Sequence, residues 1–317
     1  MDAPAYPLIL AWAVPFFAGS VALEWWAVAK GRARGRYTTR DGLASMAMGL
    51  GNLVSDLVFG FIGLAALMLM WRFRLLDLGT SVAVVLLALV AQDFLYYWKH
   101  RIAHRVRWFW SAHVVHHSSE HYNLTTALRQ PWNNQFTGYV LLSAPLVLLG
   151  FHPALIGFVA SLNLLYQFWI HTEAIDRMPR WFEAVFNTPS HHRVHHSTHP
   201  EHLDRNYAGI FIVWDKLFGT FVAEKPDEAM TYGLVKNIGT HNPVRIAFTE
   251  LFGILRDAAR HGLTMRERLL YVFAPPGWSH DGSRRQSHEI LADWRVEQGA
   301  LAEPEVAYSA AAARGGA

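Results

Sequence analysis

Apolar residues are concentrated in three long segments in the first third of this chain. The segments cover residues 8–28, 43–70 and 81–97. About 20 apolar residues in a helix span the hydrocarbon layer of a bilayer, so each segment is predicted to be a membrane-spanning helix. The loop at 30–40 carries five basic residues, whereas residues 71–79 carry two. The positive-inside rule therefore predicts a cytoplasmic loop at 30–40, an N-terminus outside and a cytoplasmic C-terminus.

Two shorter apolar runs follow, at 136–150 and 154–170, with a Gly-Phe-His-Pro turn between them. Glycine and proline mark such turns, and each run is shorter than a full span, so we expect a helical hairpin that enters the membrane and returns. The hairpin would bring His171 back to the cytoplasmic side. No further span is predicted after Asp176. Residues 243–260 have the spacing of an amphipathic helix, packed on the cytoplasmic domain or, alternatively, lying on the membrane surface.

These patterns together predict an all-α, polytopic membrane protein. It would consist of three long spans, a short helical hairpin and a cytoplasmic helical cap. Histidines clustered at 100–117 and 192–196 predict a histidine-ligated di-metal site in that cap. The predicted division is into N-terminal transmembrane helices (1–79), a catalytic domain (80–223), a C-terminal cytoplasmic helical region (224–301) and a disordered tail (302–317).

Composition agrees with a membrane protein and excludes several classes of site. Hydrophobic residues make up 52% of the chain and charged residues 17%, below the roughly 25% of soluble domains. The net charge of +3 gives no electrostatic support for a nucleic-acid partner. The sequence contains no cysteine, which excludes disulfides, iron–sulfur clusters and thiolate zinc sites.

The candidate chemistry lies in three histidine motifs with the patterns HxxxH, HxxHH and HxxHH. Residues three and four apart share one face of a helix, so each motif presents its imidazoles together. Neutral imidazole suits iron, zinc, copper and nickel, and eight such ligands suit two ions. A low-complexity histidine tract is the alternative, but these motifs stand among Trp, Phe, Leu and Val. The histidines are His100, His104, His113, His116, His117, His192, His195 and His196.

Two other metal motifs are missing from the sequence. It contains neither His-Glu-x-x-His nor Glu-x-x-His. The first is the helix motif of zinc proteases, and the second belongs to ferritin-like carboxylate di-iron bundles. An imidazole-only shell beside a membrane instead favours two redox-active irons that act on a lipid.

The motifs and their surroundings resemble the fatty acid hydroxylase/sterol desaturase superfamily of membrane di-iron oxygenases, and most strongly its alkylglycerol monooxygenases. The likeness covers roughly residues 80–223. Arg105 is a departure, since those enzymes carry an acidic residue at this position. The stretches that carry the likeness are 117–130, 163–173, 187–196, 204–209 and 214–220.

The resemblance implies that all eight histidines bind iron and that His171 is an additional ligand. No catalytic residue beyond the ligands is implied. Three further residues are candidates for supporting the ligands: Gln167, His191 and Asp93. His191 could equally be a ligand itself. Asp93 stands two turns before His100, so it would orient a histidine of another motif or, equally, bond between helices. His199 and His202 fall outside the pattern, and we expect them to be solvated.

The activity that the resemblance implies is hydroxylation of a C–H bond of a lipid alkyl chain with O2, at two iron ions. An ether lipid is the first candidate substrate, and sterol or fatty-acyl desaturation or hydroxylation is the alternative. The external electron donor would be a tetrahydropterin, with a ferredoxin or a cytochrome as alternatives. The rival classes are a histidine-lined metal transporter and a zinc hydrolase. The enzyme would lie in the cytoplasmic membrane of a bacterium or the endoplasmic reticulum of a eukaryote, with its active site on the cytoplasmic side.

Overall fold

The computed structural model describes residues 6–7, 9–226 and 228–299. Within them the regular structure is helical, and the β pairing consists of isolated bridges at Phe186–Phe211 and Ser197–Tyr232. This confirms the all-α prediction for the described part; the tail predicted at 302–317 lies outside it. The helices are α1 (Ile9–Ala29), α2 (Thr39–Trp71), α3 (Val82–Arg105), α4 (Arg107–His117), α5 (Leu124–Ala127), α6 (Asn134–Thr137), a 3₁₀ turn (Tyr139–Ser143), α7 (Ala144–Leu149), α8 (Pro153–Ile170), α9 (Arg180–Val185), α10 (Pro189–His196), α11 (Val213–Leu217), α12 (Pro243–Ala258), α13 (Met265–Phe273) and α14 (Ser287–Glu297).

Four of these helices, α1, α2, α3 and α8, are long and apolar enough to cross a membrane, which indicates a multi-pass membrane protein. α1 is 11% buried in its most apolar window and α8 44%, so α1 exposes most of its surface and α8 is the most buried of the four helices. The two arms of the expected hairpin differ. The first arm is broken after α6, where Gly138 has φ 74°, a value that glycine adopts without strain. The second arm forms the uninterrupted helix α8.

The hairpin packs against the second and third spans. Its core consists of fully or nearly fully buried apolar side chains from α2, α3, α7 and α8. The core residues are Leu67, Ala88, Leu146, Val147, Phe151, Leu155, Ile156 and Val159. The Trp132 side chain also lies close to the α2 backbone, because a Cβ on Gly51 would stand 2.1 Å from the Trp132 ring.

The helices that carry the histidines follow directly from this bundle. α3 continues from its apolar segment through His100 and His104 without a break. After Val106 the chain turns into α4, which carries the second motif, and α12 packs along α4. Asp257 of α12 is fully buried and pairs with Arg107 at 2.9 Å and Arg284 at 2.7 Å. These ion pairs therefore anchor the C-terminal region to the start of α4, the helix that carries the second histidine motif.

Candidate metal centre

One group of five imidazoles forms where α3, α4 and α10 meet. One ring nitrogen from each histidine lies within 4.8 Å of those of the others. Four of the five side chains are buried and His113 is partly exposed. All five come from the three motifs identified in the sequence: His100, His104, His113, His117 and His195.

A second group of four imidazoles adjoins the first. Its members come from α4, from α10 and from His171, the residue that ends α8. The rings of His117 and His196, one from each group, are stacked at 4.4 Å between centroids. The structure thus brings all nine predicted ligands together in two neighbouring groups. The second group comprises His116, His171, His192 and His196, all buried.

Several of these rings are oriented by hydrogen bonds from Nδ1 to the backbone. Nδ1 of His100 donates to the carbonyl of Tyr207 at 2.8 Å, and Nδ1 of His171 donates to the carbonyl of Gln167 at 2.7 Å. A carbonyl accepts and never donates, so the proton of each neutral ring lies on Nδ1. Their Nε2 atoms therefore present lone pairs to the interior of the groups, as metal-ligating histidines do.

The Nε2 atoms face one another at distances of about 3 Å, which suit a hydrogen bond and equally suit two ligands of one ion. His100 Nε2 lies 2.9 Å from His113 Nε2. His171 Nε2 lies 3.1 Å from His116 Nε2 and 3.0 Å from His192 Nε2. Two nitrogens bound at right angles to one ion, each at about 2.1 Å, are about 3.0 Å apart. Both groups therefore fit the edges of metal coordination shells.

Burial keeps these imidazoles neutral. It lowers the pKa of His171 to about 4. Burial, followed by the neighbouring imidazoles, lowers the pKa of His116, His192 and His196 well below the usual value of 6.5. Near pH 7 the rings are therefore uncharged and available to bind a cation.

Asp204, for which no role was predicted, contacts a histidine of the first group. Its carboxylate lies 3.5 Å from Nδ1 of His104 and accepts a bond of 2.9 Å from Arg105. Burial opposes ionisation of this carboxyl, but the contacts with His104 and Arg105 together hold its pKa below the ordinary value. The signal in the sequence was the stretch 204–209, which carries part of the family likeness. In the structure Asp204 and Asn206 of this stretch adopt positive φ angles of 59° and 53°.

The three supporting candidates occupy different positions. Gln167 acts through its backbone carbonyl on His171, while its side-chain oxygen accepts from the Tyr96 hydroxyl at 2.9 Å. The Asp93 carboxylate accepts from the amides of Ile210 (2.7 Å) and Phe211 (3.1 Å), and from Asn163 and Trp214. His191 is buried against Phe221, with 5.3 Å between the ring centroids, and belongs to neither group.

The expectation that His202 is solvated was wrong. Its side chain is fully buried, with Nε2 3.2 Å from a carboxylate oxygen of Glu228. His199 is partly exposed and lies 3.2 Å from the other oxygen of the same carboxylate. The pairing involves a residue 26 positions further along the chain, so no local pattern indicated it.

Comparison with known proteins identifies the family of the histidine region. Residues 85–220 match the fatty acid hydroxylase family. This confirms the resemblance found in the sequence. No solved structure matches the chain.

Several whole proteins are similar to this chain. Human alkylglycerol monooxygenase is 41% identical over 273 residues, which cover 84% of this chain and 59% of the human protein. The Caenorhabditis elegans protein of that name is 37% identical over 256 residues, 77% of this chain and 50% of the relative. Ornithine lipid hydroxylase OlsE of Rhizobium tropici is 27% identical over 218 residues, 69% of this chain and 59% of the relative. The chain thus spans between half and three fifths of the length of these relatives.

A cavity of about 780 Å³ reaches the histidines of both groups. Its inner wall includes three members of the first group and one of the second: His104, His117, His195 and His196. The outer wall comes from the C-terminal region, at 233–238, 249–256 and 276–290. This volume is typical of sites that bind small molecules, and it gives a substrate access to the nitrogens.

Proposed function

We propose that this protein is an integral-membrane di-iron oxygenase that hydroxylates a C–H bond of a lipid alkyl chain. The observation that carries the proposal is the gathering of nine mostly buried imidazoles into two adjoining groups, in which the Nε2 atoms of six rings lie within 3.1 Å of another Nε2. The match of residues 85–220 to the fatty acid hydroxylase family supports this chemistry. The catalytic region would be residues 80–223, between the helices of 1–79 and the C-terminal region of 224–301.

The nine histidines are proposed as ligands of two iron ions. Imidazole nitrogen suits several transition metals, and iron is chosen because relatives of this chain are monooxygenases and hydroxylases. The group of five would hold one ion and the group of four the other. When bound, the irons supply the activation of O2 that oxygen insertion into a C–H bond requires. The carbonyls of Tyr207 and Gln167 keep two of the Nε2 atoms unprotonated for this role.

The site is proposed to face the cytoplasm. The basic loop at 30–40, which the positive-inside rule places there, lies on the same side of the bundle as the histidines. Arg34 donates to Asp176 at 2.8 Å, and the Arg36 carbonyl accepts from Asn123 at 2.9 Å. Tyr37 bonds to Glu24, which also bonds to Thr172, the residue after His171. These contacts tie the loop to the segments that flank the second group.

An alkylglycerol ether lipid is the first proposed substrate, because relatives at 37–41% identity carry the name alkylglycerol monooxygenase. A sterol or fatty acyl chain is the second candidate, since a cholesterol 25-hydroxylase-like protein of Danio rerio is 31% identical over 139 residues. Hydroxylation beside the ether oxygen consumes O2, two electrons and two protons and releases water. The resulting hemiacetal then separates into a fatty aldehyde and glycerol. A tetrahydropterin is the proposed electron donor, with a ferredoxin or a cytochrome as alternatives.

The test uses the full chain, purified with iron and placed in nanodiscs. It is given an alkylglycerol, ¹⁸O2 and tetrahydropterin, and O2 uptake and labelled aldehyde are measured. The ester-linked monoacylglycerol of the same chain length is the matched control substrate. We expect aldehyde formation that depends on iron, O2 and the ether bond.

Other outcomes identify the rival functions. Fatty acid release without O2 would indicate a zinc hydrolase, and metal uptake into vesicles without O2 consumption would indicate a transporter. Labelled hydroxyl or new double bonds in sterol or acyl chains would move the substrate to the second candidate. If lipid and O2 are not consumed with any of the three electron donors, the oxygenase proposal is wrong.

A further inference from the structure

The geometry points to a third metal site, formed by His199, His202 and Glu228, which binds a divalent cation of the Zn²⁺ type. None of the three belongs to the nine histidines of the proposed iron centre. One ligand atom from each lies within 4.8 Å of the others. Two imidazoles and one carboxylate, with a further position open to water, form a familiar zinc ligand set.

The two histidines are held together by a turn directly after α10. The amide of His202 donates to the carbonyl of His199 at 2.9 Å, and the two rings lie 5.0 Å apart between centroids. The amide of His199 donates to the Ser197 hydroxyl at 3.2 Å. Backbone bonds thus position both imidazoles before any ion binds, which lowers the entropic cost of binding.

Glu228 reaches this turn from a different segment of the chain. Its two carboxylate oxygens stand 3.2 Å from Nε2 of His199 and 3.2 Å from Nε2 of His202. In a tetrahedral site with ligands at about 2.0–2.1 Å, neighbouring ligand atoms are about 3.3–3.4 Å apart. The observed separations are therefore close to those between ligands that share one ion.

The orientations of these groups favour an ion between them over direct hydrogen bonds. His202 is fully buried, yet within the described residues neither of its ring nitrogens has a hydrogen-bond partner, and neither has the Glu228 oxygen beside it. Buried polar atoms normally have a partner, because leaving one without costs free energy. A cation bound by Nε2 and the carboxylate would satisfy both atoms at once.

A proton shared between the carboxylate and the imidazoles is the competing explanation. The Glu201 amide donates to Nδ1 of His199 at 3.3 Å, which puts the ring proton on Nε2, toward Glu228. That bond is long for an N–H···N contact and therefore weak. Metal binding would move the proton to Nδ1 and break this bond, whereas His202 has no such bond to lose.

The site would connect segments that flank the second histidine group. Residues just before the turn are already paired with 231–232, through Thr198 and Thr231 at 2.9 Å and through the bridge from Ser197 to Tyr232. Tyr232 stacks at 5.1 Å on Tyr122, whose ring lies 5.1 Å from that of His196. An ion on Glu228 would therefore brace a layer of residues that covers the second group.

The test measures zinc in the iron-loaded full chain in detergent, titrated with Zn²⁺ against a chromophoric chelator. Zinc and iron are both counted by elemental analysis, so zinc that displaces iron is recognised by iron loss. The variants are Glu228→Gln, which keeps the side-chain volume, and His199→Ala, at the partly exposed ring. Glu201→Gln is the control, because that carboxylate bonds Lys225 instead.

We expect the wild type and Glu201→Gln to bind one zinc per chain beyond any that replaces iron. Glu228→Gln and His199→Ala should bind that ion at least tenfold more weakly, with unchanged iron content. Zinc should raise the Tm of the wild type and not that of Glu228→Gln, since a ligand stabilises the state that binds it. The proposal fails if the wild type takes up no additional zinc, or if Glu228→Gln takes up as much as the wild type. Neither result depends on the activity of the enzyme.

Discussion

His171 offers the sharpest test of the proposed iron centre, because it lies far in sequence from the three motifs. Its ring is buried, and its Nε2 lies 3.1 Å from His116 Nε2 and 3.0 Å from His192 Nε2. His171→Ala would reduce the second group from four imidazoles to three and leave the first group intact.

The size of the effect can be set from the role of the ring. Loss of a residue that merely orients a ligand costs about 10–100-fold in metal affinity. Loss of a ligand should cost at least about 100-fold, or about 2.7 kcal/mol. We therefore expect iron to fall from two ions per chain toward one, and turnover to fall at least about 100-fold.

The assay combines elemental analysis of iron with turnover under ¹⁸O2, on protein whose folding is checked by circular dichroism and size exclusion. His191→Gln is the matched control, because His191 is also buried and close in sequence to three ligands, yet lies against Phe221. The control should retain both irons. A His171→Ala protein with two irons and near-normal turnover would refute the ligand assignment and leave eight histidines.

Three further predictions concern pH, packing and topology. Burial lowers the pKa of His171 from 6.5 to about 4, so the unfolded chain takes up a proton at a higher pH than the folded chain. The Tm of the metal-free protein should therefore fall as the pH drops from about 6.5 to about 4 and stay level between pH 7 and 8. A Cβ on Gly209 would stand 2.7 Å from the Asn163 amide and 2.8 Å from Asp93, so Gly209→Ala should cost about 1–3 kcal/mol of stability and lower the iron content. Thermal unfolding and elemental analysis measure the two effects, and unchanged values would contradict this packing. Reporter fusions after Lys30 and after Gly79 should report opposite sides of the membrane, and matching signals would reject the proposed topology.

The sequence by itself predicted the first three long helices and eight of the nine histidines that meet. Apolar run length predicted membrane helices where α1, α2 and α3 lie, because a bilayer demands about 20 apolar residues. Three-and-four spacing indicated that the imidazoles of each motif share a helix face. His171 was added by the resemblance and by the hairpin, and the structure brings it to the other histidines.

The tertiary structure decided how the histidines divide between two groups. His116 and His117 are neighbours in sequence but join different groups, as do His195 and His196. Successive residues point about 100° apart around a helix, so each adjacent pair stands between two sites, and only the packing of α3, α8 and α10 determines which rings meet.

Long-range contacts also decided what surrounds the ligands. The acceptor for His100 is the carbonyl of Tyr207, 107 residues away, and every residue type carries such a carbonyl, so no motif marks it. Asp93, predicted either to orient a histidine or to bond between helices, accepts bonds from the amides of Ile210 and Phe211 and from Asn163 of α8. Burial of His202 likewise depends on Glu228 from a separate segment. Periodicity and spacing describe neighbours within one helix, whereas these contacts exist only after distant segments have packed together.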